Sequence, residues 1–190
     1  MLRLQAQRTA EPAAAEALEK AMSRVMAVAE AHRSLYRSSD LRTVDLCRVL
    51  TDLTEHLGSL SPKVAVRCAS HAGVNMDAER GIPIGLIASE LLSNAIKHAY
   101  PDGGQGAVEA TVEERDGLVV LTVEDGGRGM PLDSPGTRSG LGSALVRSLA
   151  RQVGARVSVE SCPGRGTKVR LTLTRESDPP GPEPHLPAAG

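Results

Sequence analysis

Apolar positions recur along this chain in two rhythms, and the change from one to the other separates a helical front part from an α/β body. From Pro12 to Tyr36 the chain is rich in Ala, Glu and Arg, and Leu18, Met22, Val25, Ala29, His32 and Tyr36 follow in alternating steps of four and three. That spacing lays an apolar seam along one helix, suited to packing on a second helix in a bundle or coiled coil, and Pro12 fits a first helical turn. The stretch Met1 to Thr9 supplies at most about two turns of antiparallel partner. The long helix therefore reads as half of a hairpin whose first arm has been cut.

Beyond a loop at Ser38 to Asp40 the elements shorten. A helix is predicted from Asp45 to Leu57 with Gly58 as its stop, then a strand from Lys63 to Ala69 and a short one at Val74 to Met76. A longer helix runs from Ile82 to Ala99, with Pro83 placed in its first turn. Alternating strands at Ala107 to Glu113 and Leu118 to Glu124 flank Arg115-Asp116-Gly117, a hairpin signal. A helix from Leu141 to Gln152 stops at Gly154, and a second hairpin pairs Ala155 to Glu160 with Lys168 to Thr174 across Pro-Gly-Arg-Gly. The tail from Glu176 carries five prolines and few apolar residues, which predicts disorder. The expected fold class is α/β, a two-layer sandwich of a mixed, mainly antiparallel sheet with helices on one face, preceded by the hairpin remnant. The expected divisions are 1–41, 42–175 and 176–190.

Composition narrows the functions. The 190 residues suffice for one main domain with an appendage. With no Trp, no Phe and two Tyr, the core must come from Leu, Val, Ile and Ala, and an aromatic platform for single-stranded nucleic acid is disfavoured. A formal net charge of -1 gives no general attraction to nucleic acid or acidic lipid, so any phosphate must be held locally. Cys47, Cys68 and Cys162 are widely spaced and suggest neither a disulfide framework nor a zinc site. No apolar run approaches the ~18 residues of a membrane span, and the N-terminus lacks a signal-peptide core; a cytoplasmic setting is expected.

Four polar and glycine-rich signatures carry the candidate chemistry: ELLSNAIKHAY at 90–100, DGGRG at 125–129, GLG at 140–142 and GRGT at 164–167. On the predicted helix Ile84, Ala88, Leu91, Leu92, Ala95 and Ala99 form the apolar face, and Glu90, Asn94, Lys97 and His98 fall on a neighbouring arc of roughly 100°. That arc offers a carboxylate, an amide, an amine and an imidazole to one cleft; taken alone, it reads first as a solvated helix face. Asn is a poor helix former, so Asn94 within this helix wants a local reason. The strand to Glu124 delivers Asp125 into Gly126-Gly127-Arg128-Gly129, either an ordinary turn or a carboxylate placed to accept from an exocyclic amino group such as adenine presents. Gly140-Leu141-Gly142 opens a helix whose unpaired amides suit a phosphate chain, with 130–139 as a mobile lid before it. GLGSAL follows a loop and GRGTK lacks P-loop spacing, which excludes two rival glycine motifs. Gly164-Arg165-Gly166-Thr167 is a tight hairpin turn whose Thr hydroxyl can also bond a base edge or a water on Asp125.

In this order the signatures resemble the catalytic ATP-binding domain of sensor histidine kinases, within the superfamily that includes gyrase, Hsp90 and MutL-like ATPases. ELLSNAIKHAY is similar to its Asn box, DGGRGM to its DxGxG box, SGLGSALV to its lid-helix glycine box and GRGT to its last glycine box. The segment before about residue 46 resembles the dimerisation hairpin and linker of the HWE and HisKA_2 subgroup. The resemblance implies ATP and Mg²⁺ as cofactors, with Asn94 ligating the metal and Asp125 reading adenine. Lys97 and His98 would face the phosphates, Gly127, Gly129, Met130, Gly140, Leu141 and Gly142 would line pocket and lid, Thr167 would sit beside the base, and Glu90 would orient a water. It further implies a homodimer, a response regulator as partner, and an acceptor histidine upstream of the segment that LRLQAQRT resembles, with His32, His56, His71, His98 and His185 poor substitutes. An anti-sigma-factor-type protein serine kinase and an ATP-inactive dimeric phosphotransferase module are the alternatives.

Overall fold

The computed structural model describes residues 43–70, 73–101, 104–130 and 144–175, together with Ala21 and Val25, both helical and exposed. The expected hairpin seam, apart from Val25, lies outside the described residues, as do Gly140 to Gly142, most of the expected lid and the Pro-rich tail.

The described chain runs β1 (Thr43–Asp45), α1 (Leu46–Leu60), β2 (Val64–Cys68), β3 (Asn75–Asp77), α2 (Ala78–His98), β4 (Gly106–Arg115), β5 (Leu118–Asp125), α3 (Ala144–Gln152), β6 (Arg156–Ser161) and β7 (Thr167–Thr174). Five strands form one sheet in the order β2-β4-β5-β7-β6, parallel only at β2–β4, and β1 pairs with β3 in a separate two-stranded ribbon. This is the expected mixed, mainly antiparallel sheet. Its alternation decides the layers: Val108, Ala110, Val112, Val119, Leu121, Val123, Val169, Leu171 and Leu173 are buried under the helices. The opposite face is polar, with Lys168 paired to Glu124 and Arg170 to Glu160. Exposed pairs of that kind add little stability, so the buried aliphatic layer holds the sandwich together.

Helix boundaries differ from the sequence reading where a cap outweighs a breaker. Gly58 does not stop α1, which continues to Leu60. The stop is Pro62, whose ring disfavours helical geometry in the residue before it, and Ser61 has left the helix at φ -128 and ψ 74. Asp45 caps the other end, its carboxylate accepting from the N–H groups of Cys47 and Arg48 at 3.0 and 3.2 Å. Likewise α2 starts at Ala78, capped by Asp77 accepting from Arg80 N–H at 3.0 Å, so Pro83 sits in the second turn and not the first. There it removes one internal hydrogen bond, a loss offset by packing, since Gly81, Pro83, Ile84 and Gly85 are all buried. The short strand β1 was not foreseen; three residues give too little alternation to register. Asp116 and Gly117 close the β4–β5 hairpin with φ of 53° and 74°, the paired positive values of a two-residue turn.

Arg80 ties the start of α2 to the far end of the sheet. Its guanidinium donates to the carbonyls of Arg175 at 2.8 Å, Thr174 at 2.6 Å and Val153 at 3.3 Å. Arg80→Met keeps the stem and removes all three bonds, and it is expected to cost about 1–3 kcal/mol in urea unfolding while leaving nucleotide affinity unchanged.

Candidate functional site

Strand register brings three polar side chains into one row at an end of the sheet. Asp125 on β5 pairs with Thr167 on β7, and Thr167 pairs with Ser161 on β6. Directly opposed residues share a face, and Asp125 continues the alternation of Val119, Leu121 and Val123, so the row lies on the helix-covered side. Asp125 is only 8% exposed, one of few buried acids among the described residues. Its Oδ1 accepts from Gly127 N–H at 2.9 Å. Burial raises its carboxyl above the ordinary range, the N–H groups of Gly127 and Thr167 pull it back, and the charge of Glu124 adds to the rise.

The turn after Asp125 exists because glycines let backbones touch. A Cβ on Gly127 would lie 2.3 Å from the Ala99 carbonyl oxygen, and one on Gly129 would lie 2.0 Å from that of Cys162. Room that the sequence reading assigned to a ligand is, in the Cβ direction, filled by neighbouring backbone. Gly166 is held more tightly still: its φ is +81° and a Cβ would meet the Asp125 carbonyl oxygen at 1.8 Å.

Of the α2 arc, Glu90 is buried, Asn94 and Lys97 are half-buried, and His98 is exposed. The arc thus rolls from the core out to solvent. Ala99, just past the helix, accepts from Arg128 N–H at 2.9 Å. Asn94 stands about 7–8 Å back from that contact along the helix axis, so the amide and the buried carboxylate belong to the same end of the molecule. Met130 N–H donates to Ser161 Oγ at 2.8 Å, which places the last glycine-turn residue beside β6.

Two residues of the site had no role in the sequence reading. Tyr100 donates its hydroxyl to the Ala107 carbonyl at 2.6 Å and accepts from the N–H groups of Ala107 and Gly126, each at 3.1 Å. One phenol oxygen thereby clasps the end of α2, the start of β4 and the turn after Asp125. The signal was present in Gly106, whose Cβ would fall 2.0 Å from the Tyr100 ring: a glycine opening a strand six residues after an aromatic. Ser161 was left outside its strand by a boundary drawn one residue early at Glu160.

The described site is a sandwich with a buried acid at the end of a central strand, a polar helix face beside it and glycine-mediated backbone contacts. Residues 79–177 match the family model for histidine kinase-, DNA gyrase B- and HSP90-like ATPases, and residues 1–61 match a histidine kinase model. The chain is 31% identical over 179 residues to the sensor histidine kinase PdtaS of Mycolicibacterium smegmatis, covering 91% of this chain and 36% of that protein. It is 31% identical over 155 residues to blue-light-activated histidine kinase 2 of Erythrobacter litoralis, covering 76% and 44%. The solved histidine kinase domain of a blue-light-activated histidine kinase from Erythrobacter litoralis superposes with a TM-score of 0.73 at 28% identity, over 82% of this chain and 75% of that one. The chain belongs to the sensor histidine kinases of the HisKA_2 type and contains their catalytic ATPase part. It spans less than half the length of these two curated relatives.

A carboxyl raised by burial favours the folded state while protonated; that contribution is fully present below its unfolded pKa and is lost as pH rises through the folded one. Near about pH 7, Asp125→Asn is therefore expected to melt no lower than wild type, the gap closing as pH falls through the raised folded pKa and fully closed below about 4. A wild-type protein clearly more stable than Asp125→Asn at neutral pH contradicts this. Gly166→Ala is expected to cost at least about 2–3 kcal/mol, against about 1 kcal/mol for Gly154→Ala, where φ is also positive and space is open; denaturant unfolding of the pair checks the contrast.

Proposed function

We propose that this chain binds Mg-ATP in the cleft between the Asp125 row and the C-terminal half of α2, and catalyses transfer of the γ-phosphoryl to a histidine. A response-regulator aspartate then takes it. The observation that carries this reading is Asp125: a carboxylate buried at the end of β5 whose charge the N–H groups of Gly127 and Thr167 only partly compensate. A planar base whose exocyclic amine donates to that carboxylate offsets the cost of its burial, and a base with a carbonyl at that position does not.

Asn94 gives a side-chain oxygen to the metal. Among the described residues no group of three or more His, Cys, Asp or Glu could hold an ion by itself. One neutral amide suits a hard cation that arrives on the triphosphate and keeps waters. Lys97 and His98 neutralise phosphate charge, Gly140 to Gly142 offer backbone amides to the phosphate chain, and Glu90 orients a water. In the transfer, an imidazole nitrogen forms its bond to Pγ as the bond from Pγ to the bridging oxygen breaks, the electron pair leaving on ADP. Positioning and charge neutralisation supply the rate.

We assign residues 1–41 to dimerisation, 42–175 to nucleotide binding and 176–190 to a tail. The match of residues 1–61 to a histidine kinase model supports a histidine and not a serine as acceptor. His56 is half-buried on α1 and His98 stands at the nucleotide end of α2, and none of the five histidines is assigned that role.

In calorimetric titration Asp125→Asn is expected to weaken Mg-ATP binding by about tenfold or more. Asn94→Ala weakens it with Mg²⁺ present and has little effect in EDTA. Wild-type affinity in Asp125→Asn contradicts the reading. Incubated with γ-labelled ATP, the chain is expected to carry no acid-labile phosphate itself and to label a supplied acceptor helix; acid-stable label on a partner protein points instead to a serine kinase.

A further inference from the structure

Ser161 Oγ lies within hydrogen-bonding distance of three groups: Met130 N at 2.8 Å, Thr167 Oγ1 at 2.9 Å and the Gly166 carbonyl oxygen at 3.0 Å. A serine hydroxyl has one proton and two lone pairs, and that inventory fixes the direction of every bond. Met130 N–H can only donate, so it takes one lone pair. The Gly166 carbonyl can only accept, so it takes the proton; any other assignment leaves two acceptor oxygens facing each other at 3.0 Å with no proton between them. The second lone pair then receives the proton of Thr167. Ser161 is saturated, and Thr167 has given away its only donor. What Thr167 Oγ1 still offers to the cleft beside Asp125 is lone pairs alone.

We propose that Ser161 is a positioning residue for base selectivity: it holds Thr167 in an acceptor-only state, so that Thr167 and Asp125 together present only acceptors to the base. This rests on the reading of Asp125 as the group that meets the adenine amine. A row of acceptors welcomes an amino group, directly or through a water that donates to Thr167, and repels a carbonyl at the same ring position. The same hydroxyl anchors the N–H of Met130, so the turn that follows Asp125 and the selectivity row share one pivot. Neither Asp125 nor Thr167 has to change for selectivity to be lost: removing the Ser161 hydroxyl frees the Thr167 proton, which then rotates toward the cleft and can donate.

The test compares binding of Mg-ATP with that of Mg-ITP, whose hypoxanthine carries a carbonyl in place of the amine, across variants of the full chain. Ser161→Ala is expected to lower the ATP-over-ITP preference about threefold to tenfold, the value of one neutral hydrogen bond changing sense. Ser161→Thr, which keeps a hydroxyl on a strand that accepts branched side chains, restores the preference. Thr167→Val lowers it as well, and Ser161→Ala has no further effect on the ratio in that background. A merely structural serine would weaken both nucleotides together and leave the ratio alone, and that result overturns the proposal. Should Ser161→Ala not fold, Thr167→Val decides: a wild-type ratio there overturns it too. Asp125→Asn is the control. If it abolishes the preference while Ser161→Ala does not, only the role of Ser161 falls; if it keeps the preference, the reading of Asp125 falls and the proposal with it.

Discussion

A carboxylate held out of water at the end of a central strand is the constraint around which this fold is arranged. Asp125 continues the buried alternation of β5, in a place where an apolar residue would be more comfortable. Burial disfavours its charge, and the N–H groups of Gly127 and Thr167 return only part of what solvent would give. The fold therefore carries an electrostatic cost, which on the proposed reading a ligand with a donor of the right shape relieves. On that reading, the acid is tolerated without ligand and satisfied in the complex.

The rest of the described structure keeps that acid in place relative to the helix that bears Asn94, Lys97 and His98. Tyr100 joins the end of α2 to β4 and to the turn at Gly126 through a single oxygen. The Arg128 N–H bond to Ala99, and the lack of a side chain at Gly127, let helix end and turn meet backbone to backbone. At the opposite end of α2, Arg80 fastens three carbonyls around the end of β7. The helix is thus pinned at both ends to the sheet it crosses, and the polar arc between the pins cannot drift from the Asp125 row. The aliphatic layer beneath supplies bulk stability, and these few bonds supply geometry.

Much of this was legible in the sequence, for identifiable reasons. Alternation in β4, β5 and β7 is strong because one face is fully buried, so layer and class followed from period alone. The family signatures were legible because glycine is irreplaceable where Gly127, Gly129 and Gly166 meet carbonyls, and because Asp125 interrupts an apolar rhythm. What failed were judgements in which one local rule was weighed without its rival. Gly58 was read as a stop although Pro62 was the stronger one, and Pro83 was assigned to a first turn because the cap at Asp77 was not weighed. The individual bonds of Tyr100 and Ser161 were harder to read, since each reaches backbone brought near by strand register or by folding: Gly106 marks the place of the Tyr100 ring but not the carbonyl its hydroxyl meets.

A crystal structure of the chain with a non-hydrolysable ATP analogue and Mg²⁺ tests the central claim most directly. The account predicts the adenine amine about 2.7–3.2 Å from an Asp125 carboxylate oxygen, with the Gly127 N–H bond intact and the phosphates leading toward Asn94. An adenine ring bound elsewhere, with Asp125 bonded only to protein or water, would contradict it.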